Sequence, residues 1–96
     1  MTYAPKLVLQ LPLSNPNLLQ PFVEACLRDG VTLIAVVGEG ASKMENLIDD
    51  FIVGDGSDRS RFIVTTSHPD ETVEEVMEYA RSWDEEQGQP VELVKL

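Results

Sequence analysis

The chain predicts a small three-layer α/β/α domain, with four mostly parallel strands and three helices alternating as β-α-β-α-β-α-β over residues 1–96. Two observations carry this. Three short apolar runs, at residues 6–11, 31–37 and 61–66, are each followed by a small-residue turn and a segment of helical period. A fourth run, at residues 90–96, closes the series. The second run is apolar throughout apart from Thr32, with none of the alternation of a half-exposed strand, as expected of a strand covered on both faces.

Each element has its own local reason. After the first strand, Pro12 and the turn Ser14-Asn15-Pro16-Asn17 supply turn chemistry and capping oxygens. Leu18, Leu19, Phe22, Val23, Cys26 and Leu27 then share one helical face, and Gly30 stops the helix. Pro21 lacks a donor, so the helix is expected to begin near Asn17 or Leu18, with Pro21 in its first turn. The second helix is expected to open on a capping box in which Ser42 and Glu45 satisfy each other's backbone donors. Met44, Leu47, Ile48, Phe51 and Ile52 form its apolar stripe, and Gly54 ends it.

A polar loop at residues 54–60, expected to be mobile, leads to the third strand. Beyond that strand Pro69 suits the first position of a helix, with Asp70 and Glu71 in its first turn, where the helix dipole favours acids. Val73, Val76, Met77, Ala80 and Trp83 form the inward stripe of that helix, which fades through residues 84–88 and leaves Tyr79 on the outside. Glu92 and Lys95 interrupt the last strand and mark it as an edge. Strand orders 2-1-3-4 and 3-2-1-4 both satisfy right-handed crossovers, and the apolar second strand favours the interior place it has in 3-2-1-4.

Composition narrows the function. All of the formal net charge of −10 arises in residues 45–96, because the acids and bases of residues 1–44 cancel. Such a chain offers too few Lys and Arg to displace the counterions of a phosphate backbone, so nucleic acid is not an expected partner. No apolar run approaches the ~20 residues that span a bilayer. The opening residues lack the basic and apolar blocks of a signal peptide, and the one cysteine, Cys26, has no internal partner. The expectation is a cytoplasmic protein, monomeric or dimeric.

Parallel strands bring every strand-to-helix turn to one edge of the sheet. Gly38, Gly40, Ser42 and Lys43 form the sharpest candidate there: glycines admit a ligand close to the backbone, a helix N-terminus offers free N–H groups, and Lys43 adds charge. Ser67 and His68 end the third strand beside them, and His68 is the one histidine. The glycine turn is neither a Walker loop nor a dinucleotide fingerprint, since Lys43 stands where the third glycine would fall. The same residues also serve as an ordinary turn and helix caps. No catalytic constellation, metal-ligand spacing or cofactor loop emerges, and Asp55 and Asp58 lack the ligand series of a calcium loop.

In architecture the pattern resembles a minimal flavodoxin-like or Rossmann-like layer, without the phosphate loops of either. The expected function is binding without chemistry of its own, as a protein-interaction or regulatory module for a basic protein partner. The alternative is a small anion, phosphate or carboxylate, held at the C-terminal edge of the sheet by Gly38, Gly40, Ser42, Lys43, Ser67 and His68.

Overall fold

A computed structural model of the protein describes residues 2–58, 60–83 and 90–96. Its elements run β1 (Lys6–Gln10), a short 3-10 turn (Pro16–Leu18), α1 (Leu19–Asp29), β2 (Leu33–Val37), α2 (Ala41–Val53), β3 (Val64–His68), α3 (Val73–Arg81) and β4 (Val91–Val94). All strand pairs are parallel, and the sheet order is β3-β2-β1-β4. This is the 3-2-1-4 order that the apolar second strand favours, and β4 is an edge as its charges indicate. Right-handed crossovers place α1 and α2 on one face and α3 on the other.

The core divides accordingly. Leu7, Leu9, Ile34 and Val36 meet Phe22, Val23, Cys26, Ile48 and Ile52 of α1 and α2. Val8, Leu33, Ala35 and Val37 meet Val76 and Ala80 of α3. Leu33 to Val37 are buried along the whole strand, which is why that run shows no alternation. Lys6 is also fully buried, between Leu33 and Val91 in the neighbouring strands, so its long stem packs as part of the sheet. Cys26 lies in the first core, where burial, with Asp29 and Glu92 nearby, pushes its thiol up to about 12. At pH 8 a thiol-specific disulfide reagent is therefore expected to leave native protein unmodified and to react fully in denaturant. Rapid labelling of the native protein would contradict that packing.

The helix ends follow local rules at some points and depart from them at others. Asn15 caps the 3-10 turn, Pro21 falls in the first turn of α1, and Gly30 ends α1 with φ 78°. The expected capping box at Ser42 and Glu45 is not formed. Gly40 takes the N-cap position of α2, so Ser42 already lies inside the helix, and the Glu45 carboxylate instead lies 3.1 Å from Thr65 Oγ1 of β3, a hydroxyl that it shares with Asp49 at 2.6 Å. A capping box forms instead at Thr72 and Glu75, where the Thr72 backbone N–H holds the Glu75 carboxyl below its ordinary range. Pro69, Asp70 and Glu71 thus lie in the turn before α3, and the first-turn acids are Glu74 and Glu75.

The third strand starts at Val64, later than its apolar run implies, because Arg61 is held elsewhere. Its guanidinium donates to both Glu24 carboxylate oxygens at 3.0 and 2.6 Å and to the Ile52 and Phe51 carbonyls at 2.8 Å each. These bonds tie the end of α2 to α1, lower the Glu24 carboxyl pKa, and turn Phe62 outward, 73% exposed. The expected fade of the third helix over residues 84–88 falls outside the described residues. No helix among the described residues is long and apolar enough to cross a membrane.

Candidate functional site

Because β2 and β3 are neighbours, the turns that follow them lie side by side at the C-terminal edge. The Ser42 and Ser67 hydroxyl oxygens are 3.4 Å apart, and the Gly38 N–H donates to the His68 carbonyl at 3.2 Å. Gly40 adopts φ 85° and gives α2 no side-chain cap; the Ala41 N–H is taken by the Gly38 carbonyl at 3.1 Å, and the Ser42 and Lys43 N–H groups follow it in the first turn. Lys43 is exposed on the same first turn. Gly38, Gly40, Ser42 and Ser67 are therefore brought together.

His68 does not join them as a free group. It is 7% exposed, and its side chain turns under α3. Nε2 lies 2.8 Å from Thr66 Oγ1, Nδ1 lies 2.8 Å from Glu71 Oε1, and the ring rests 4.7 Å from the Tyr79 ring. In a neutral imidazole, Nδ1–H donating to the Glu71 carboxylate leaves Nε2 to accept from Thr66. With both nitrogens occupied, His68 braces β3 against its following turn. The same contact corrects the outward placement of Tyr79, which is half-buried against that ring. At residues 55 and 58, each carboxylate accepts from a serine two residues on, Ser57 or Ser60, which makes both local turns. Among the described residues no cluster of three or more His, Cys, Asp or Glu is placed to hold a metal ion.

The topology reverses direction between β1 and β4, where open parallel sheets ordinarily hold ligands. In this protein that position is closed, since the Ser14 and Asn15 N–H groups both donate to the Leu96 oxygen, at 2.8 and 3.2 Å. The opening lies one strand over, between the turns after β1 and β2. Leu11, Pro12, Leu13, Pro16, Glu39, Gly40 and Met44 line a recess of about 260 Å³. Its walls are apolar and Glu39 is its one charged lining residue. Gly38, beside it, lets the turns after β1 and β2 approach closely, because a Cβ there would stand 3.1 Å from Leu11 Cβ.

Periodicity did not single out Leu11, Leu13 and Met44 as a site. The available signal was leucines on either side of Pro12, apolar residues at the end of a strand and in the turn beyond it.

No curated protein and no solved structure matches the chain. A family model, described as a domain of unknown function (DUF7684), matches residues 7–95. The match takes in every helix and strand but for the first residue of β1, and the chain belongs to this family.

Proposed function

We propose that this domain is a protein-interaction module whose recess between the β1 and β2 turns seats an apolar side chain of a basic partner. The recess itself carries the reading. At about 260 Å³ it is smaller than most small-molecule sites, roughly 300–1,000 Å³. It suits a single large side chain, the kind of anchor that dominates protein interfaces. Glu39 at the rim and a net charge of −10 select a partner with Lys or Arg around that anchor and speed its approach.

The test is an NMR titration with two synthetic peptides, a leucine flanked by lysines and the same leucine flanked by glutamates. The lysine peptide is expected to move the amides of Leu11, Leu13, Gly40 and Met44, and the glutamate peptide to leave them in place. Glu39→Lys should weaken the lysine peptide about three- to tenfold, the scale of a rim charge. Equal binding of both peptides, or shifts confined to other surfaces, would overturn the reading.

A second reading is favoured by one observation, the Ser42 and Ser67 hydroxyls beside a helix start that no side chain caps. That group suits phosphate or carboxylate, with Lys43 as counter-charge. It ranks second because Glu39 and Asp70 are exposed in the turns that border it. Inorganic phosphate and small carboxylates should then raise the melting temperature at low salt. Lys43→Ala should cut the affinity about fivefold, as befits an exposed charge. A melting temperature insensitive to both anions would remove this reading.

A further inference from the structure

The flank of α1 faces the edge strand β4 across two recesses. Among the described residues β4 pairs with β1 alone, so one side of its backbone has no neighbouring strand. Leu93 is 40% exposed on the opposite, α3-side face of that strand, and Leu18, in the turn just before α1, is 45% exposed on the groove side.

Two recesses lie between α1 and β4. One, of about 240 Å³, is walled by Leu18, Pro21, Phe22 and Leu96 and contains no charged residue. The other, of about 280 Å³, is walled by Arg28, Asp29 and Glu92. Tyr3 and Ala25 line both, so the two form one groove. Leu96 faces the start of α1 and Glu92 its end, so the helix runs antiparallel to β4 and the groove follows the strand.

We propose that the free edge of β4 and this groove take up an extended, basic segment of a partner protein as a fifth strand. Alternate side chains of such a strand recur every ~6.8 Å along one face. The residues that line the groove on this side step by about one helical turn, ~5.4 Å, from Leu18 just before α1 through Pro21 to Ala25 and Arg28. An added strand therefore places one apolar side chain under Leu18 and Pro21, and a later one toward Glu92. Main-chain bonds to β4 supply affinity and the two recesses supply specificity.

Charge chooses the occupant. Glu92 and Asp29 line the polar recess, where they accept from the Ala4 and Tyr3 N–H groups at 3.1 and 2.9 Å, Arg28 lies 3.6 Å from Asp29, and the chain carries −10 overall. A second copy would bring −10 against −10, whereas a segment carrying lysines is attracted.

The probe is the synthetic peptide Lys-Thr-Leu-Thr-Lys-Thr-Lys, compared with a form whose alternate backbone amides are N-methylated. The unmodified peptide is expected to slow hydrogen exchange of β4 amides and to shift Ala25 and Arg28 in NMR spectra. N-methylation should weaken it about tenfold or more, because the ladder bonds are lost. Leu18→Glu should weaken it by a similar factor, and a melting temperature close to wild type verifies its fold, since Leu18 is half in solvent already.

Equal binding of the N-methylated form would overturn strand addition. So would peptide shifts that spare β4 and α1, or no binding at millimolar peptide. A dimer by light scattering, with β4 amides protected before any peptide is added, would assign the edge to a second copy and overturn the proposal as well.

Discussion

Ile48→Ala is expected to lower the unfolding free energy by about 2–5 kcal/mol, the usual cost of truncating a buried branched side chain. Ile48 is fully buried where α2 closes over the sheet, among Ile34, Val36 and Ile52. Met44, Phe51 and Ile52 of its own helix pack into the same core, so the surroundings have little freedom to collapse into the space. In a domain of this size each kcal/mol moves the melting temperature by about 4–8 °C. Urea unfolding followed by the fluorescence of Trp83, the one tryptophan, measures the loss directly. Leu47→Ala is the control, since Leu47 is on the same helix but exposed, and it should cost under ~1 kcal/mol. An equal loss at the two positions would contradict the face that α2 is seen to bury.

Gly38→Ala is the second large effect, and it joins stability to the recess. Gly38 has φ 120°, a conformation that residues with a Cβ rarely adopt, and the new carbon would stand 3.1 Å from Leu11 Cβ and 3.4 Å from its carbonyl oxygen. Backbone strain of that kind costs about 1–3 kcal/mol, and the crowding against Leu11 adds to it. Gly40→Ala separates the two causes. Its φ of 85° is also positive, but no atom lies within 4 Å of the added carbon. Urea unfolding should therefore show a smaller loss at Gly40, of about 1–2 kcal/mol. Gly38→Ala should also reduce binding of the lysine-flanked peptide, because Leu11 is both the clashing residue and a wall of the recess. Equal costs at the two glycines would show that close approach of the β1 and β2 turns contributes nothing.

Most secondary structure was legible because its signals are short-ranged. The stripe of Met44, Ile48 and Ile52, the stop at Gly30 and the unbroken apolar run ending at Val37 each report a period or a backbone preference within a few residues. The charges of the last strand announced an edge, because such residues are costly in an interior strand. Of the candidate site, the glycine turn was legible, whereas its closeness to Ser67 depended on the strand order that puts β2 beside β3.

The misplaced boundaries share one cause. Arg61 looked like the start of a strand, yet its side chain is claimed by Glu24, 37 residues earlier, and by the last carbonyls of α2. Ser42 and Glu45 have the spacing of a capping box, yet Gly40 begins the helix and Glu45 turns to Thr65. Thr72 and Glu75 have the same spacing, but Pro69 drew the helix start four residues too early. In each case two partners competed for one polar group, and the winner was set by what the fold brought alongside.

By itself, then, the order of residues determined the fold class, the helical and strand periods, the glycine stops and the acidic second half. Only the tertiary structure decided that His68 turns inward to Thr66 and Glu71, that Lys6 packs within the sheet, and that Leu11, Leu13 and Met44 wall a recess. The physical reason is range. A period or a turn is written in the backbone preferences of adjacent residues, whereas burial and partnership belong to residues that meet only when the strands pair.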